Sequence, residues 1–169
     1  MNTQQRLLVV GPGEGSSVDL AGLGVKFKVW SQSTGRGLSI VEHPMEPGRL
    51  VPPHVHHRED ELSYVLEGTF GVRVGSDVAT VGPGSYVYKP RGVPHTFWNA
   101  GSNRARMIEI IWPGGFERFF ERLAELTSTA GPDLDAARAE LGSKYGLEFV
   151  PEWIPQLQAD HGVRLLGPG

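Results

Sequence analysis

Residues 54–61 read His-Val-His-His-Arg-Glu-Asp-Glu, three imidazoles and four charged side chains in eight positions. In an extended chain, side chains two apart share a face, so His54 and His56 point one way and Val55 and His57 the other. If the shared face is the inside of a β-barrel, two neutral imidazoles enter a dry space. Polar groups buried there without partners are costly, and neutral imidazole is a good transition-metal ligand. Glu61 has the wrong parity to join them on one continuous strand. Arg58-Glu59-Asp60 must break the strand, and a new one from Glu61 brings the carboxylate in from next door. On it Glu61, Ser63 and Val65 face inward, while Leu62, Tyr64 and Leu66 face a second layer. Glu59 and Asp60 are then solvated turn residues, although a slip of the turn would put either in place of Glu61. His57 points away, to the surface or a subunit interface.

On the N-terminal side of this run, GVKFKVW (24–30) alternates Val25, Phe27 and Val29 with Lys26 and Lys28, the pattern of a half-buried strand. GLSIVEHPME from Gly37 gives another strand. Its His43 is expected at the surface, although the strand could bring it near the cavity. On the C-terminal side, LSYVLEG, TFGVRV, VATV, SYVYK, HTFWN and ARMIEIIW follow one another, punctuated by Gly75-Ser76-Asp77, Gly82-Pro83-Gly84 and Pro90-Arg91-Gly92. In HTFWN, His95 and Phe97 share the inward face and Trp98 takes the outer one, which makes His95 the candidate fourth ligand. Short strands and regular turns from Gly24 to Trp112 predict one all-β barrel or sandwich. The 23 glycines and 13 prolines among 169 residues suit such short segments.

Beyond Trp112-Pro113-Gly114-Gly115 the period changes. Phe116, Phe119, Phe120, Leu123 and Leu126 form one apolar helical stripe, with Glu117, Arg118, Glu121, Arg122 and Glu125 largely on the other side. A second helix follows, capped by Asp133 and ended by Gly146. The predicted organisation is a lead-in over 1–23, a barrel over 24–113, helices over 114–146 and a tail over 147–169. The tail is proline-broken and expected to be poorly ordered at its end. GPGEG (11–15) lacks the last glycine and the βαβ setting of a dinucleotide loop and reads as a flexible lead-in.

Sixteen Lys and Arg against nineteen Asp and Glu leave a charge of −3, which offers no basic field for nucleic acid or an anionic membrane. Without cysteine there are no disulfides, zinc thiolates or thiol nucleophiles. The N-terminal apolar run is too short for a signal peptide, and no apolar stretch reaches about 18 residues. The expected compartment is the cytoplasm.

Two segments carry a family resemblance. GRLVPPHVHHREDELSYVLEG (48–68) resembles the first cupin motif, G-x5-H-x-H-x4-E-x6-G. GSYVYKPRGVPHTFWN (84–99) resembles the second, G-x5-P-x-G-x2-H-x3-N. Gly48, His54, His56, Glu61 and Gly68, then Gly84, Pro90, Gly92, His95 and Asn99, fill every defining position. Fifteen residues separate Gly68 from Gly84. The resemblance implies a double-stranded β-helix, the jelly-roll barrel of cupins. It also implies one divalent metal held by His54, His56, Glu61 and His95, with Asn99 serving a turn.

Three imidazoles and one carboxylate leave such an ion open positions for water, dioxygen or an enolate or catecholate. The ligand set admits iron, manganese, nickel, cobalt or zinc. The layout resembles small quercetin-dioxygenase-like cupins, which implies a dioxygenase acting on a small aromatic or enolisable substrate. Glu61 would double as a base if an apolar cavity raised its pKa. Phe97, Tyr86, Tyr88 and Met107 are the candidate substrate-pocket residues. Two alternatives stand beside this reading: a non-catalytic, metal-anchored binding or storage protein, and an isomerase or decarboxylase with a redox-inert metal. A homodimer is expected, as small cupins commonly pair such sheets, and it would bury Leu62, Tyr64 and Leu66, as would the chain's own C-terminal helix.

Overall fold

The computed structural model describes residues 7–129 and 133–167. Thirteen strands and three α-helices are described. The first sheet runs β1 (Ser17–Asp19), β2 (Gly24–Val29), β3 (Ser39–Met45), β11 (Ala105–Trp112), β6 (Asp60–Glu67) and β9 (Tyr86–Lys89), each antiparallel to its neighbour. In the second, β10 (His95–Asn99) is central. It pairs on one side with β7 (Phe70–Val74), which continues to β8 (Asp77–Val81). On the other it pairs with β4 (Arg49–Leu50) and β5 (His54–His56). The family pattern's double-stranded β-helix is thus present, two sheets closed around one core.

Side-chain parity builds that core. Val25, Phe27, Val41, Met45, Val65, Phe70, Val72, Phe97, Met107 and Ile111 are buried between the sheets, as alternate residues of half-buried strands must be. The motif glycines answer to backbone geometry. Gly68 turns from β6 toward β7 at φ 73°, and a Cβ there would meet Ala105 Cβ at 2.7 Å. Gly92 sits at φ 76° and donates its N–H to the His56 carbonyl at 2.7 Å, tying the second motif's turn to the first motif's strand. Asn99 serves a turn, with Oδ1 accepting from Gly101 N–H and Nδ2 donating to the carbonyls of Met45 and Asn103.

Helix α1 (Glu117–Thr129) lays Phe116, Phe119 and Phe120 against the core. Glu117 is not on its solvent side as the stripe suggested. It is buried, and its carboxylate accepts from the N–H groups of Ser31 (3.0 Å) and Gly115 (2.7 Å), satisfying free donors of the entry turn. Helix α2 (Leu134–Tyr145) ends at Gly146 with φ 73°, as the sequence indicates, but the Asp133 side chain makes no cap hydrogen bond. The lead-in is not wholly irregular either, since it contributes β1.

The tail departs most from expectation. Residues 147–165 form β12 (Leu147–Phe149), α3 (Ile154–His161) and β13 (Arg164–Leu165). β12 pairs antiparallel with β5, and β13 parallel with β4. Outward-facing Trp98 is covered by this wrap, clustering with Leu50, Leu157 and Val163, and stacks on His161 at 4.4 Å between ring centroids. The indole lies so close over β7 that a Cβ at Gly71 would fall 2.0 Å from it. Enough apolar surface is buried here to order this proline-broken segment. The final residues, 168–169, where the disorder was expected, lie outside those described.

Candidate metal centre

Strand β5 carries His54 and His56, and the register of β10 sets His95 directly opposite His54. Glu61 enters from β6 in the other sheet, after the turn at Arg58-Glu59. One ligand atom from each of the four residues lies within 4.8 Å of the others. Their rings face one another, with centroids 4.6–5.5 Å apart. His56, Glu61 and His95 are buried; His54 as a whole is half-buried, its ring end enclosed with the rest. Phe116 covers the group, its ring 4.2 Å from that of His56.

The hydrogen bonds assign the tautomers. His54 Nδ1 donates to the Pro52 carbonyl at 2.7 Å and His95 Nδ1 to the Val93 carbonyl at 3.0 Å, since a carbonyl can only accept. Burial, joined for His54 by its imidazole neighbours, holds His54 well below the usual histidine range and lowers His95 as well. Both are therefore neutral, with bare lone pairs on Nε2. His95 Nε2 faces Glu61 Oε2 at 3.1 Å, and His56 Nε2 lies 3.3 Å from Glu61 Oε1. For His95 this sets acceptor against acceptor, and a cation between them removes the conflict. The donor set fits a first-row divalent ion.

Other placements correct the sequence reading. Glu59 is buried, not solvated, and its Oε2 lies 3.5 Å from His56 Nδ1. Asp60 opens β6 rather than lying in the turn and pairs with Arg91 at 2.6 Å, so neither replaces Glu61. His57 points away and meets Glu148 at 2.9 Å. His43 is buried rather than at the surface, because it shares the inward parity of Val41 and Met45. Its Nδ1 donates to the Gly24 carbonyl at 3.0 Å, and burial takes it down to about 4. Of the pocket candidates, Phe97 and Met107 face the interior. Tyr86 and Tyr88 do not: they are 70% and 54% exposed, because β9 turns Val87 and Lys89 inward.

The sequence reading missed Lys89 and Glu109. Lys89 Nζ lies 3.0 Å from Glu61 Oε2 and 2.8 Å from Glu109 Oε2, and Ser63 Oγ donates to Glu109 at 3.0 Å. Burial pushes Glu109 up to about 7 despite Lys89. Burial alone would raise Glu61 too, but Lys89, His56 and His95 outweigh it and hold the carboxyl well below its usual range. The apolar surroundings expected to make Glu61 a base are thus overridden by an ammonium. Glu109 had a readable signal, since it shares the parity of Met107 and Ile111.

The Cupin_2 family (cupin domain) matches residues 42–111, the stretch that contains all four converging side chains. The chain carries a cupin domain over that stretch. Among curated proteins, this cupin is 35% identical over 77 residues to germin-like protein subfamily T member 2 of Arabidopsis thaliana, covering 43% of this chain and 35% of that protein. It is 28% identical over 118 residues to quercetin 2,3-dioxygenase of Bacillus subtilis (strain 168), covering 69% of this chain and 34% of that one. The cupin spans about a third of the length of these two relatives. Among solved structures, KdgF from Halomonas sp. superposes with a TM-score of 0.59 at 20% identity, over 66% of this chain and 99% of that one. The polyketide cyclase RemF from Streptomyces resistomycificus gives 0.54 at 25% identity, over 63% and 79%.

Proposed function

We propose that this cupin is a metal-dependent dioxygenase of a small aromatic or enolisable substrate. The observation that carries the reading is the convergence of three imidazoles and one carboxylate within 4.8 Å, roofed by Phe116. The partial likeness to a quercetin 2,3-dioxygenase supports it. A first-row divalent ion bound there would supply Lewis acidity toward an enolate or catecholate and an electron path to dioxygen. The chain's own groups do the rest. His54, His56, His95 and Glu61 hold the ion, with the Pro52 and Val93 carbonyls fixing two of the rings. Phe97 and Phe116 exclude water and strengthen electrostatics at the centre. Glu61 is assigned the ligand's role and not the base's, because Lys89 lowers the affinity of its carboxylate for a proton.

A redox-neutral conversion of an enolisable substrate is the second reading, favoured by the likeness to the RemF cyclase structure. Oxygen uptake separates the two. The protein, loaded in turn with iron, manganese and nickel, is offered flavonols, catechols and 1,3-diketones. Uptake that vanishes in His54→Ala upholds the dioxygenase; no uptake across the panel, with substrate consumed, transfers the case to the second reading.

We also propose a homodimer through the outer face of the first sheet. Leu62, Tyr64, Tyr86, Tyr88, Ile108 and Ile110 form a contiguous, partly exposed apolar block there. Its rim charges pair internally, Asp60 with Arg91 and Glu67 with Arg106, which leaves a neutral face suited to a second copy of itself.

A further inference from the structure

The strand register brings a second polar cluster to the edge of the centre. Glu61 on β6 lies directly across from Lys89 on β9, and Ser63, two residues along β6, lies across from Glu109 on β11. All four side chains face inward and are buried, with Lys89 3% and Glu109 1% exposed. Lys89 Nζ bridges the two carboxylates at 3.0 and 2.8 Å, and Ser63 Oγ holds the far one at 3.0 Å.

Stability does not explain such a cluster. A buried ion pair recovers at best what desolvation takes away, and apolar residues of equal volume would serve as well. Its geometry explains it better. Lys89 holds Glu61 through Oε2, which His95 Nε2 also faces at 3.1 Å, while among the described residues Oε1 takes no hydrogen bond from an amine or hydroxyl and faces His56 Nε2 at 3.3 Å. Glu109, itself tethered by Ser63, keeps the ammonium from swinging into the centre.

We propose that Lys89 is a positioning residue for Glu61, anchored by Glu109, which fixes the carboxylate's rotamer and so the direction from which it meets the metal. This rests on the metal-binding reading of the four ligands. Cross-strand pairing sets the two residues side by side, since the β6–β9 register places Lys89 directly opposite Glu61.

Cobalt(II) is the probe, because its visible absorption reports coordination number and geometry. Metal-stripped wild-type protein, K89M/E109Q and Glu109→Gln are titrated with cobalt, and circular dichroism checks each fold. The double variant removes the ammonium together with the carboxylate of Glu109, and leaves Glu61 with the added cation to pair with. It is expected to stay folded, bind cobalt on the order of tenfold more weakly and show an altered spectrum. Glu109→Gln, which loosens only the anchor, is expected to move the spectrum in the same direction by less, and answers alone if the double variant does not fold. A wild-type spectrum and affinity in folded variants overturns the proposal, as does tighter binding, which would make Lys89 only a repelling charge. Failure of the wild-type protein to take up cobalt instead sinks the metal-binding reading beneath it.

Discussion

Glu59 Oε2 and His56 Nδ1 face each other at 3.5 Å, both buried, and neither makes a hydrogen bond among the described residues. The other two imidazoles are oriented by backbone carbonyls, and His56 alone has a carboxylate behind it. Such a partner fixes the ring and raises its basicity as a ligand. Glu59→Gln is therefore expected to weaken metal binding about 10- to 100-fold while the fold persists. Competition with a chelator of known affinity measures this, and an unchanged affinity removes Glu59 from the centre.

The neutral burial of His43 predicts a pH effect. Its pKa lies at about 4, below the ordinary 6.5, so between these values the unfolded chain binds more protons than the folded one. The stability this group contributes is complete above pH 6.5 and is lost as pH falls toward 4. The loss reaches about 2 kcal/mol by pH 5. Glu109 slopes the other way but is common to both proteins compared. Urea midpoints of metal-free wild type and His43→Gln at pH 7 and pH 5 provide the check, the variant losing less on acidification. Parallel losses would show that His43 does not remain neutral in the fold.

The C-terminal wrap is structural, and Leu157 and Val163 are its two fully buried contacts with Trp98 and Leu50. Leu157→Ala should cost about 2–5 kcal/mol and lower the melting temperature by roughly 5–15 °C. Calorimetry or thermal circular dichroism reads this directly. A shift within error would mean that the tail is not docked as described.

Association has a simple assay. If the outer sheet face joins two copies, Tyr64→Arg combined with Tyr86→Glu should give monomers by light scattering at concentrations where wild type is dimeric. Because Tyr64 and Tyr86 stack at 4.6 Å outside the barrel, the fold should survive. A monomeric wild-type protein ends the proposal.

The barrel and the four converging ligands were legible because both depend on local rules. Period-two alternation sets which way His54, His56 and His95 point, and glycine-rich turns set where strands end. What escaped depends on pairing between distant segments. Tyr86 and Tyr88 went to the wrong face because a four-residue strand reads equally well in either parity until Lys89 is matched to Glu61. His43 and Glu59 went to the surface because their polarity outweighed their position in expectation, while buried partners overrode it in the fold. The tail's order rests on Trp98, whose cover comes from residues more than fifty positions away.

That remoteness bears on how the protein is made. β5, with two of the four ligands, gains its second neighbour only when β12 arrives. About ninety residues are polymerised between them, several seconds of elongation at about 5–20 residues per second. Until then β5 is flanked on one side only, so the strand that carries His54 and His56 reaches its final pairing after every strand from β2 to β11 has been made.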